Sequence, residues 1–152
     1  MEIKVKKLSE TATTPTKADP EAAGYDLYAD IEHGVIAISG GHTAFINTGI
    51  AIEIPKGYWG GIYSRSGMAC KQGLRPANCV GVIDSSYRGE VKVALHNDNK
   101  GLFHDKINER FVQHGDRIAQ LIIHKCEDFT FVEEDELSNT ERGSGGFGSS
   151  GR

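Results

Sequence analysis

In the run FINTGIAIEI, alternate positions Ile46, Thr48, Ile50, Ile52 and Ile54 fall on one face, the period-two signature of a half-buried β-strand. EVKVALHN repeats the pattern with Val91, Val93 and Leu95. The runs EIKVKKL, HGVIAI, GYWGGIYS and NERFVQ are short, rich in β-formers and bounded by Gly, Pro, Asn or Asp. Such spacing predicts an all-β sandwich or barrel, mostly antiparallel and jelly-roll-like. RIAQLIIHKC is almost continuously apolar and reads as a strand buried on both faces, more than a lone small sandwich needs, so an oligomer interface is expected to cover it. Helical period is nearly absent: GMACKQG is expected to form one short helix, and EEDELSN a helical turn or an acidic linker. No repeat of about 20 residues or more is present, which excludes a solenoid. The organisation expected is one β-domain over residues 1–137 and a flexible, Gly-rich C-terminal arm over 138–152.

Composition narrows the partners. With 17 Lys and Arg against 21 Asp and Glu, the net charge of −4 lacks the basic excess of a protein that coats nucleic acid, so no stable nucleic-acid binding is expected. The polar start MEIKVKKLSE has no apolar leader segment, and no run approaches the roughly 18 apolar residues of a membrane span. An intracellular, cytoplasmic protein without a membrane partner is the expectation. Cys70, Cys79 and Cys126 are odd in number and widely spaced, which argues against a disulfide framework and a CxxC zinc site. The six histidines follow no metal-ligand spacing.

Chemistry gathers where charged residues stand beside glycine in stretches that break the alternation: AGYDLYA, YSRSGMA, NCVGVIDSSYRGEVKV, GDRIAQ and RGSGGFGSSG. Taken singly, each of the first four is explained as a turn, because Asp, Ser and Gly collect in turns. The last is harder to set aside. Its glycines let the backbone approach a ligand and aim N–H groups at phosphate oxygens, Arg142 offers a charged fork, and Phe147 offers a ring that stacks on a base. It is no Walker loop, since the lysine of that motif is missing.

In this order, and across nearly the whole chain, the five stretches resemble the five motifs of the trimeric dUTP diphosphatases (dUTPases). GVIDSSYRGE and RGSGGFGSSG carry the resemblance most specifically. It implies a jelly-roll-like subunit in a homotrimer, with each active site built from motifs of all three chains, and hydrolysis of dUTP to dUMP and pyrophosphate with Mg2+ on the triphosphate. That activity provides dUMP for dTMP synthesis and keeps uracil out of DNA.

The same resemblance implies roles. Asp84 would orient and activate the water that attacks the α-phosphorus, with Gln120 beside it; general-base catalysis is typically worth roughly 10^2 to 10^4-fold. Tyr87 would pack under the deoxyribose and refuse a 2'-hydroxyl. Backbone groups around Val82 and Ile83, with the Asn78 amide, would read uracil, and Lys92 would contact ligand from the same hairpin. Arg65, Ser66 and Gly67 would hold the phosphate chain, and Asp26 would hold waters on Mg2+. Phe147 would stack on uracil while Arg142 and glycine N–H groups such as that of Gly148 wrap the γ-phosphate, so that the arm orders on substrate. Asp116 and Arg117 are expected to be structural or to stand behind the residues that touch ligand, and Cys79, inside the uracil hairpin, is a candidate for thiol sensitivity that the sequence leaves open. A dCTP deaminase on the same fold needs a glutamate where this hairpin has Asp84. A non-catalytic module would have lost one of Asp26, Ser66, Asp84, Gln120 or Arg142, and all are present.

Overall fold

The computed structural model describes residues 1–32, 34–78, 80–99 and 108–146. Among them run the strands β1 (Lys4–Lys7), β2 (Tyr25–Tyr28), β3 (Val35–Ile38), β4 (Thr43–Asn47), β5 (Ile50–Glu53), β6 (Tyr58–Tyr63), β7 (Leu74–Pro76), β8 (Gly81–Ile83), β9 (Lys92–Asn97), β10 (Arg110–Gln113) and β11 (Arg117–Lys125). Among the described residues the one named helical element is a π-type turn, Met68–Gln72, at the expected GMACKQG. All pairing is antiparallel. A four-stranded sheet has the order β2-β11-β6-β8 and a three-stranded sheet the order β4-β9-β7, while β1 pairs β5 and β10 pairs β3.

The alternation in FINTGIAIEI survives, but the run is not one strand. Ile46, Thr48, Ile50, Ile52 and Ile54 are all buried, yet the chain turns at Gly49 and carries β4 and β5 into different sheets. Gly49 has φ +64°, a backbone state that side chains disfavour, and the Asp30 carboxylate occupies the space a Cβ would need. Val91, Val93 and Leu95 join the same core with Leu27, Val112 and Ile118. The buried Asn97 amide donates to the carbonyls of Ile38 (2.8 Å) and Asn108 (2.7 Å), so the one polar side chain deep in β9 is satisfied as it joins neighbouring elements.

The Gly49 corner rests on Asp30. Its carboxylate accepts hydrogen bonds from Ser9 Oγ at 2.5 Å and Thr11 Oγ1 at 2.6 Å. Burial, the largest single influence, pushes the Asp30 carboxyl up, but those two bonds and the nearby His114 ring together hold it below its ordinary value. A carboxyl depressed in the folded state stabilises above its unfolded value and loses that stabilisation as pH falls through the lower folded one. Asp30→Asn is therefore expected to cost about 1.5–3 kcal/mol at pH 7, the range for hydrogen bonds to a charged group. The difference from the parent chain should shrink as pH falls below 3.8, and melting curves across pH check it; a difference independent of pH would contradict this account.

The strand read as buried on both faces is only half covered. Ile118, Ala119 and Leu121 of β11 are buried, whereas Ile122, Ile123 and His124 are intermediate. On the outer face His124 stacks on Trp59 with ring centroids 4.6 Å apart, and its Nε2 lies 3.0 Å from the Tyr63 hydroxyl. Strand structure stops at Lys125, and residues 126–144 are exposed. The bare apolar side chains Phe129, Phe131, Val132 and Leu137 stand along this stretch. EEDELSN is thus an extended acidic connection without a helical turn. Among the described residues no helix is long and apolar enough to cross a membrane.

Candidate active site

The candidate residues form two clusters, one on the four-stranded sheet and one between its β8 edge and the strands β4 and β9. The first lies on β2, β11 and β6. Asp26 on β2 faces Gln120 on β11, which in turn faces Tyr63 on β6. The chain leaving β6 then delivers Arg65, Ser66 and Gly67. Asp26 is 3% exposed, and both of its oxygens carry guanidinium partners: Arg65 Nε at 2.9 Å and Arg117 Nη1 at 3.2 Å. Arg65 also donates from Nη1 to the Arg117 carbonyl at 3.3 Å. Asp26 thus fixes two cations beside the exposed Ser66 and Gly67. Arg117 belongs to this cluster directly, a contact that GDRIAQ alone does not reveal.

The second cluster is a cavity of about 340 Å³ at the β8 edge, lined by Asn78, Val82, Ile83, Asp84, Tyr87 and Lys92 among others. Its size suits a nucleoside. β8 ends at Ile83, and the next residue, Asp84, is exposed to solvent. The loop folds back as Tyr87 N–H donates to the Asp84 carbonyl (3.1 Å) and the Tyr87 hydroxyl donates to the Glu90 carbonyl (2.9 Å). Phe45 and Glu90 complete the lining. Phe45 left a trace in the alternation, which sets it off the core face as a large aromatic on a strand. Glu90 left none beyond its place in SSYRGE. A second groove, lined by Ile3, Val5, Tyr25, Ile52, Leu121 and Ile123 among others, contains no Asp or Glu and none of the candidate residues.

The clusters do not meet. Ile83 faces Gly60 and Gln120 faces Tyr63 on opposite sides of β6, so Asp84 and Gln120 are displaced both along and across the sheet. At about 3.4 Å per residue and about 4.8 Å per strand, their separation is on the order of 15 Å. No single water touches both within one copy of the chain.

Arg142 forms a local turn: its Nε donates to the Gly145 carbonyl at 2.9 Å, and Gly143 N–H donates to the Thr140 carbonyl at 3.1 Å. Phe147, Gly148 and Cys79 lie outside the described residues. Among the described residues no group of three or more His, Cys, Asp or Glu is placed to hold a metal ion. That donor set fits magnesium only as an ion that keeps its waters and takes direct ligands from a bound phosphate chain.

A family model described as dUTPase matches residues 10–151. The deoxyuridine 5'-triphosphate nucleotidohydrolase of Nautilia profundicola is 44% identical over 152 residues, covering 100% of both chains. The enzyme of the same name from Hydrogenobaculum sp. is 44% identical over 151 residues, covering 99% of each. Among solved structures, the Staphylococcus bacteriophage 80alpha dUTPase with dUPNHPP is similar at a TM-score of 0.88 and 30% identity, covering 99% of each chain.

Proposed function

The chain belongs to the dUTPase family, and from that premise we propose that it hydrolyses dUTP to dUMP and pyrophosphate at sites shared between copies of itself. The observation that carries the reading is the single cavity that collects Asn78, Val82, Ile83, Asp84, Tyr87 and Lys92, while Asp26, Arg65 and Gln120 gather elsewhere. A uridine seated in that cavity needs a phosphate-binding cluster from another copy, given the distance between Asp84 and Gln120 within one. The half-covered outer face of β11 with Trp59 and His124 supports a homotrimer.

Uracil is read by backbone groups around Val82 and Ile83 and by the Asn78 amide. Cytosine is rejected because its exocyclic amine leaves buried groups mispaired. Tyr87 packs under the deoxyribose, and Lys92 meets the ligand from β9. Arg65 and Ser66 hold the phosphate chain, with Gly67 allowing its close approach. Asp84 takes a proton from the attacking water as Gln120 of another copy orients it. Mg2+ bound with the substrate would neutralise charge on the phosphate oxygens; Asp26, which anchors Arg65 and Arg117 through both oxygens, is the carboxylate that would stand nearest its water shell. Residues 138–152 form the arm that closes the site, with Arg142 and the Gly148 N–H on the γ-phosphate and Phe147 on the base.

The test is pyrophosphate release from dUTP, dCTP, dTTP and UTP with Mg2+, for the full chain and for a chain stopped after Asn139. Release from dUTP alone, lost on truncation, is the expected result; no release from any nucleotide would sink the assignment. Mass in solution should be about 50 kDa, three copies of a 16.5 kDa chain, and an active monomer would overturn the shared site.

A further inference from the structure

We infer that Glu90 is a positioning residue for sugar discrimination, tying the Tyr87 ring to the Gly49 corner of the β-domain; this rests on the dUTPase reading and deepens it. Tyr87 is 46% exposed, so packing alone does not fix its ring. Two contacts do. The ring lies over Gly89, where a Cβ would come within 2.6 Å of Tyr87 Cζ and 2.9 Å of Cε2. The hydroxyl donates to the Glu90 carbonyl at 2.9 Å. Both contacts are made to residues 89 and 90, so the ring is placed only as firmly as that peptide is.

The Glu90 side chain supplies the firmness. Its Oε1 accepts the buried Gly49 N–H at 3.0 Å, and its Oε2 lies 3.5 Å from Lys92 Nζ. The adjoining Val91 N–H donates to the Ile50 carbonyl at 2.8 Å, and the Thr48 hydroxyl donates to the Val91 carbonyl. Residues 90 and 91 are therefore bound to 48–50, the corner whose geometry Gly49 and Asp30 set. Without the carboxylate, a buried N–H at Gly49 has lost its acceptor and the corner and loop must rearrange to satisfy it. A misplacement of about 1 Å can cost about 10^2-fold in rate, and a ring that decides by sterics loses discrimination when it moves by a similar amount.

The readout is the ratio of kcat/KM for dUTP over UTP. Glu90→Ala is expected to lower it at least about 10-fold, and Glu90→Gln, which keeps an acceptor for Gly49 N–H, to hold it within about 3-fold. Gly89→Ala is the second variant should Glu90→Ala fail to fold. Gly89 does not have positive φ, so its added methyl tests the ring contact without backbone strain, and the same loss of ratio is expected. An unchanged ratio in the alanine variants, or equal damage from Glu90→Gln, would overturn the role of Glu90. Absence of dUTP turnover in the parent chain would instead sink the functional reading beneath it.

Discussion

Asp84→Asn is expected to lower kcat for dUTP at least about 100-fold while binding of a non-hydrolysable dUTP analogue changes by no more than a few-fold. Asp84 follows the last residue of β8, lines the β8-edge cavity and is exposed. An exposed carboxylate of this kind contributes little to folding, and its isosteric replacement should move stability by no more than about 0.5 kcal/mol. Lost rate can then be read as lost proton transfer. The neighbouring turn should persist, because Tyr87 N–H bonds the Asp84 backbone carbonyl and not its side chain. Steady-state turnover, analogue titration and a melting curve on the same preparation decide the matter; turnover within about 3-fold of the parent would remove Asp84 from the chemistry.

Most of the architecture was legible because burial on one face of a strand writes itself into every second residue. Ile46 through Ile54 and Val91 through Leu95 were correct as a buried set, since each position competes for the same core. Gly49 shows what alternation misses: the pattern continues through a corner, because a chain that changes sheets can keep its apolar side inward. The short strands β2, β7 and β8 were obscured for a different reason. Their residues are spent on turns and site chemistry, as in YDLY and GVI, and three or four positions are too few to show a period. At the site, the motifs named the cavity residues, but pairing fixed who touches whom. Arg117 reaches Asp26 only because β11 lies beside β2, and Glu90 reaches Gly49 across a long stretch of chain.

Asp26→Ala is expected to destabilise the protein by about 3 kcal/mol and to depress turnover more than 10-fold. The carboxylate is almost wholly buried between Arg65 and Arg117, and removing one member of a buried charge cluster leaves the others uncompensated, typically at about 3–5 kcal/mol. The low end applies because the two arginine side chains are 24% and 46% exposed and regain some water. For a domain near 150 residues this is a fall of roughly 6–12 °C in melting temperature. Freed from Asp26, Arg65 no longer stands fixed before Ser66, and on the proposed reading the phosphate chain would then be held less well in the transition state. Asp26→Asn separates this anchoring from the proposed role toward a magnesium carried by the substrate. If anchoring dominates, the amide fails to hold two guanidiniums, and both stability without nucleotide and kcat/KM fall at every Mg2+ concentration. If the water shell of the ion dominates, stability without nucleotide is unchanged, and raised Mg2+ restores the rate. With both oxygens of Asp26 already engaged by arginines, the first outcome is the one expected.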